Sequence, residues 1–398
     1  MSTPGPFGGG NPFEGMPIFS DLARLFNAQG PVNWEIARQI SAWVATDGQA
    51  EPNVEPSERI RLEDLARVAE LHVADVTGLS LGDDGKPVAV VAVTRGQWTT
   101  DTLAAYRSLL EGLAGSLGQA TLPPTEDLID PTENDEAAAL LGNIGQMMAP
   151  VMLGLQSGFM VGHLARRSLS QYDLPIPRPA GHDLQVVAAN VNAFASDWSI
   201  PPDDLRLWLC LDLITHHAVL ARPHVGSRLQ SLLAEYVSGF RPDPNSLESQ
   251  LGSIDPSNPD SWQEAFGDPS AMLGGMQTDA QRGLIPAIAA LTSAVEGYVD
   301  YVLDQAGSRL ISSYGPLSEA LRRRRVERND GDRFVEQIFG LRLGQDEYDR
   351  GSAFVEGIVE RGGEAALARL WRSERELPTP AEVDAPGLWL ERIDLPDD

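Results

Sequence analysis

Apolar residues recur at the spacing of an α-helix over most of the 398-residue chain, and this limits it to a mainly helical fold. The pattern predicts helices over residues 31–46, 57–78, 137–165, 203–220 and 284–307, and one from about Thr99–Asp101 to Leu117. Two short segments, 88–93 and 184–190, have the apolar composition of strands. Residues 376–393 contain several prolines and are expected to be extended. We therefore expect a mainly α fold with a few short β-strands.

Three segments of unusual composition indicate how the chain is organised. Residues 1–16 are rich in Gly and Pro and are predicted to form a disordered tail. Residues 118–136 are predicted to form a polar linker, and residues 241–276, rich in Pro, Ser, Asp and Gly, a flexible insertion. The remainder, 17–398, is expected to fold as one domain.

The predicted helix 137–165 contains no Asp, Glu, Lys or Arg and is long enough to be considered as a membrane-spanning helix. Polar residues and Pro150 interrupt its apolar sequence. Gly154, Gly158 and Gly162 follow one another at i, i+4 and i+8, which leaves one face without side chains and permits close helix–helix approach. We predict a buried core helix and no membrane insertion.

The formal net charge of −27 disfavours nucleic acid and anionic membranes as partners. The N-terminus lacks the basic and apolar regions of a signal peptide, so we expect a cytoplasmic protein. Four consecutive arginines, Arg322 to Arg325, are expected to pair with the protein's own carboxylates. Cys210, the only cysteine, lies among large apolar residues and is expected to be buried.

Asp212 and His216 stand one turn apart on the predicted helix 203–220, so their side chains share one face. Two ligands at this spacing are how a helix of the H-E-x-x-H type holds zinc, with the glutamate acting on the zinc-bound water. The corresponding positions here read Asp212-Leu213-Ile214-Thr215-His216. The sequence therefore predicts a zinc-site frame that lacks the first histidine and the glutamate.

Glu296 is the best candidate for a third ligand, because it is a carboxylate within a strongly apolar helix. Asp300 and Asp304 follow it on the same face. Glu235, His217 and Asp300 are lesser candidates for the metal. From the residues alone, the two adjacent histidines can equally be hydrogen-bonded residues of the core.

Several segments, in their order along the chain, resemble a known family: "GPVNWEIARQI", "RVAELHVADVTGLS", the helix with "THHAV", "VEGYVDYVLD", "GSAFVEGIVERGG" and "LPTPAEVDAPGLWLERI". The chain is similar over about residues 33–393 to an actinobacterial family of zincin-like, zinc-dependent metalloproteases. The resemblance implies the zincin-like helical architecture of these hydrolases. Members of the family are sometimes linked to deazaflavin cofactor biosynthesis.

Members of that family resemble H-E-x-x-H-H followed by a helix of pattern E-G-x-x-x-x-V-x-D. The resemblance implies that His216 is the second zinc histidine, that His217 is the paired histidine after it, and that Glu296 is the downstream glutamate. The first histidine falls on Asp212, which can still bind zinc. The general base falls on Leu213, and a positioned base contributes about 10²–10⁴-fold to rate. Because a carboxylate in place of an imidazole changes both the charge and the softness of the site, zinc binding is expected to be weak or lost.

Three functions follow as alternatives. The first is a family member that has lost peptidase activity and acts as a cytoplasmic binding or regulatory protein toward an unidentified protein or peptide. The second is an active zinc hydrolase with Asp212, His216 and Glu296 as ligands and Asp300 or Glu235 as base. The third is a structural or assembly protein that binds no metal.

Overall fold

The computed structural model describes residues 30–79, 81, 88–119, 134–179, 183–241, 277–327 and 330–396. The predicted tail 1–16 and almost all of the predicted insertion 241–276 lie outside these ranges. Within them, none of the helices combines the length and the apolar character needed to cross a membrane.

Helices dominate the described residues, which confirms the predicted mainly α class. The helices are α1 (Trp34–Thr46), α2 (Pro56–Thr77), α3 (Arg95–Ala105), α4 (Arg107–Gln119), α5 (Asn134–Arg167), α6 (Ala188–Asp197), α7 (Pro202–Leu220), α8 (Pro223–Ser238), α9 (Asp279–Leu310), α10 (Tyr314–Val326), α11 (Asp330–Phe339), α12 (Gln345–Leu367), α13 (Pro380–Asp384) and α14 (Pro386–Asp394). The strands are β1 (Val90–Val93) and β2 (Leu184–Val187), and a short 3₁₀ helix spans Glu374–Glu376.

The two strands pair in parallel, with Val90 opposite Leu184 and Val93 opposite Val187. β2 is shorter than predicted because a helix follows it at once, and β1 begins two residues later than predicted and ends where predicted. Thr94 caps α3 by accepting a hydrogen bond from the Gln97 amide, and α6 begins directly after β2. The small sheet therefore anchors α3 and α6 rather than forming a layer of its own.

The glycine-lined part of α5 packs against α1, as predicted for a core helix. A Cβ added at Gly158 would lie 2.8 Å from both the Ala37 carbonyl oxygen and the Ile40 Cβ. At Gly162 it would lie 2.6 Å from the Val44 Cβ. The two helix backbones are thus close enough that only glycine fits at these positions.

One predicted boundary and one predicted conformation were wrong. The helix expected to begin at Thr99–Asp101 is two helices, α3 and α4, and Thr99 is buried inside α3. Of the linker predicted at about 118–136, residues 118–119 belong to α4 and residues 134–136 to α5, and the rest lies outside the described residues.

The C-terminal segment 376–393 is helical rather than extended. Pro380 and Pro386 occupy the first turn of α13 and α14, where proline's missing N–H costs nothing. Thr379 and Glu382 form a capping box at the start of α13. Trp389 is fully buried and donates its indole N–H to the Glu376 carbonyl oxygen, which ties α14 to the core.

Candidate functional site

The helix α7 runs through the centre of the molecule and carries Asp212 and His216. It begins at Pro202 with Asp203 and Asp204 in its first turn, where carboxylates favour the helix dipole. Every residue from Leu205 to His216 is buried, so α7 is enclosed on all sides. The buried side chains of Asp212 and His216 therefore need partners inside the protein.

The helix α9 supplies Glu296, which is 5% exposed. A capping box of Thr278 and Gln281 fixes the start of this helix. Next to Glu296, Gly297 lies directly against Gly351 of α12, and a Cβ at either position would overlap the other helix's backbone. Sequence reasoning missed this contact, although the glycine beside Glu296 was a signal for it. The close crossing fixes the position of the Glu296 carboxylate.

His216 contacts a carboxylate on each side of its ring. Its Nδ1 lies 3.1 Å from the Asp212 carbonyl oxygen and 3.5 Å from Asp212 Oδ1. Its Nε2 lies 3.4 Å from Glu296 Oε1. Since a carbonyl oxygen only accepts, Nδ1 carries a proton that it donates to Asp212. The packing of α7 and α9 side by side is confirmed, whereas the role of these three residues as metal ligands stays a prediction.

Burial by itself would lower the pKa of His216, but the carboxylates of Asp212 and Glu296 outweigh it and raise the pKa to about 10. The ring is 2% exposed. An imidazolium between two carboxylates satisfies all three side chains at neutral pH.

Tyr172 completes the enclosure of His216, and sequence reasoning missed it. The two rings stack with centroids 5.5 Å apart and an interplanar angle of 17°. Burial raises the pKa of Tyr172 to about 12. Tyr172 comes from the connection between α5 and β2, where no periodicity of the sequence indicates which side chains turn inward.

The lesser candidates are placed differently. Both oxygens of Asp300 accept hydrogen bonds from Arg325, at 2.9 and 3.0 Å. Glu235 is exposed on α8, whereas His216 is buried. His217 is partly exposed in the last turn of α7. Leu213, in the general-base position implied by the family pattern, is fully buried among apolar side chains.

The three predicted ligands do not fit a three-ligand zinc site in this arrangement. A separation of 3.4 Å between His216 Nε2 and Glu296 Oε1 matches an edge of a tetrahedron with zinc–ligand distances of about 2.0–2.1 Å, so these two could share an ion. Asp212, however, lies on the Nδ1 side of the same ring. Within the described ranges, no group of three or more His, Cys, Asp or Glu side chains is arranged to hold a metal. A catalytic zinc site needs three protein ligands and an open position.

The predicted pairing of the arginine run with the protein's own carboxylates is confirmed for Arg323, Arg324 and Arg325. Arg323 binds Glu319, Arg324 binds Asp173 and Arg325 binds Asp300. Cys210 is also buried as predicted, and its burial raises the pKa of its thiol to about 12.

Comparison with known proteins decides the family. A family model described as "Zincin-like metallopeptidase" matches residues 32–390, nearly the whole chain. The chain belongs to the zincin-like metallopeptidase family. A search of curated protein sequences finds no match.

The fold of this chain is also found in a solved structure. The chain superposes with a TM-score of 0.63 on the crystal structure of a "putative hydrolase with a novel fold" from Chloroflexus aurantiacus. The match covers 92% of this chain and 100% of that one, at 23% sequence identity. At this identity the likeness establishes the fold alone.

Proposed function

We propose that this zincin-like family member has lost peptidase activity and acts by binding another protein or peptide. The observation that carries the proposal is Leu213, which stands fully buried where the family pattern has its catalytic glutamate. A leucine cannot accept or donate a proton, and the base it replaces contributes about 10²–10⁴-fold to rate.

The surroundings of His216 support the same proposal. Its two nitrogens face two carboxylates on opposite sides of the ring, Asp212 at Nδ1 and Glu296 at Nε2. An ion bound at one of these nitrogens could therefore be shared with only one of the two carboxylates in this arrangement. The bases suggested for an active hydrolase are poorly placed, because Asp300 is bound by Arg325 and Glu235 is exposed on another helix.

The test is peptidase activity in the presence of added zinc, measured on a mixture of unstructured peptides with mass-spectrometric detection of cleavage. We expect no cleavage by the wild-type chain. The double variant Asp212→His/Leu213→Glu restores the family pattern and is expected to bind zinc at least tenfold more tightly than wild type. The imidazole extends further from α7 than the Asp212 carboxylate does, so it can reach toward the Nε2 side of the His216 ring, where Glu296 lies.

Asp212→His alone is the matched control, since it supplies the ligand without the base. It is expected to gain zinc affinity without gaining activity. Cleavage of peptides by zinc-loaded wild type would refute the proposal. A correctly folded double variant that binds zinc no better than wild type would refute the reading of this site as a derived zinc site.

A further inference from the structure

The candidate site holds more carboxylates than its histidine can compensate. Asp212 and Glu296 contact His216, and Asp300 lies one turn beyond Glu296 on the same face of α9. Asp212 and Glu296 are buried and the Asp300 side chain is 24% exposed, so these charges require compensating positive charge nearby, because a buried charge is costly unless it is paired. One imidazolium supplies a single unit.

Arg325 of α10 supplies a second positive charge beside these carboxylates. Its Nη1 lies 2.9 and 3.0 Å from the two oxygens of Asp300. Its guanidinium carbon lies 4.9 Å from the ring centroid of Tyr348 and 6.0 Å from that of Trp208. The side chain is 14% exposed, so the charge is held inside the protein by an ion pair and two aromatic rings.

The anchors of Arg325 place it beside the histidine site. Trp208 precedes Asp212 by one turn of α7, and Asp300 follows Glu296 by one turn of α9. One turn advances a helix by about 5.4 Å. The residues that hold the guanidinium are therefore one turn from Asp212 along α7 and one turn from Glu296 along α9.

The environment of Arg325 favours its charged form. Burial by itself would lower the pKa of Arg325, but electrostatic interactions with Asp300, Tyr348, Glu296 and Asp212 outweigh burial and raise the pKa. Arg325 thus interacts electrostatically with each of the three carboxylates.

We propose that Arg325 is a built-in counter-cation that, together with His216, compensates most of the negative charge of Asp212, Glu296 and Asp300 in the place where a zincin would use its metal ion. The site is then a permanent ion cluster, and the wild-type fold needs no divalent cation. This deepens the proposed function and rests on it, since it explains how the helices of a metal site stay together without the metal.

The test is thermal unfolding, followed by circular dichroism, in excess EDTA and in excess zinc chloride. Wild type is expected to melt at the same temperature in both. Arg325→Met leaves the carboxylates uncompensated and is expected to lower the melting temperature by roughly 5 °C in EDTA. Zinc then binds the uncompensated carboxylates and is expected to raise the melting temperature of this variant by roughly 3 °C or more.

Arg324→Met is the matched control. Arg324 is the next residue of α10, is 17% exposed and pairs with Asp173. Its loss removes a comparable ion pair outside the cluster, so this variant is expected to be destabilised and not restored by zinc. If Arg325→Met does not fold in EDTA, the readout is refolding from urea with zinc present.

Arg325→Lys keeps the charge and is expected to behave as wild type toward zinc. The proposal is overturned if zinc fails to restore Arg325→Met, if zinc restores Arg324→Met equally, or if zinc stabilises wild type as much as the variant. These outcomes are separate from peptidase activity, which tests the proposed function alone.

Discussion

His216 is an imidazole held between two carboxylates in the core of the protein. A zinc ligand is a neutral imidazole with one nitrogen on the metal. Here the Asp212 carbonyl oxygen accepts from Nδ1, and Glu296 lies 3.4 Å from Nε2. With the pKa raised to about 10, the ring is a cation over the whole neutral range.

The raised pKa of His216 predicts that stability falls as pH rises. The unfolded histidine titrates near 6.5 and the folded one near 10, so between these values only the folded state holds the proton. The stabilisation is complete below pH 6.5, and it is lost as pH rises toward 10, by up to about 1.4 kcal/mol per pH unit. Urea unfolding between pH 6.5 and 9.5 measures this slope.

Glu296→Gln is the control for the histidine, since it removes a charge and keeps the shape. The pKa of His216 is expected to fall in this variant, which flattens the dependence of stability on pH. Equal slopes for wild type and Glu296→Gln would contradict a charged His216.

The contact between α9 and α12 shows what the helices contribute to the site. Gly297 and Gly351 let the two backbones meet directly beside Glu296. Gly297→Ala is expected to destabilise the fold by about 1–3 kcal/mol, because a backbone, which cannot move aside as a side chain can, occupies the space of the new Cβ. The free energy of unfolding in urea measures this.

Gly283→Ala is the matched control on the same helix, because nothing lies within 4 Å of its added Cβ. It is expected to stabilise the protein by up to about 1 kcal/mol through helix propensity. Equal effects of the two substitutions would contradict a close crossing at Gly297.

Periodicity in the sequence was enough to predict α1, α2, α7 and α9, because each buries one face or all of its surface in the core. The C-terminal segment was predicted wrongly, because the packing of Trp389 and the Thr379–Glu382 capping box outweigh the prolines that suggested an extended chain. Asp212, His216 and Glu296 were found from spacing and resemblance. Tyr172 and Arg325 were not assigned to the site, because only the tertiary fold brings their segments to it.

At the scale of the whole molecule, the chain belongs to the zincin-like family, and charged side chains lie at the centre of its fold. Two helices, α7 and α9, still bring a histidine and a glutamate together across the core. A third helix, α10, brings Arg325 to the same carboxylates. These contacts support the proposal that an internal ion cluster takes the place of a metal centre within this fold.

The most direct test is the zinc content of the native protein. The untagged wild-type chain is purified without chelators from cells grown in zinc-supplemented medium, and zinc per chain is measured by inductively coupled plasma mass spectrometry. We expect a zinc content far below one ion per chain, and we expect dialysis against EDTA to leave it unchanged. About one tightly held zinc ion per chain, lost together with stability on prolonged chelation, would contradict it.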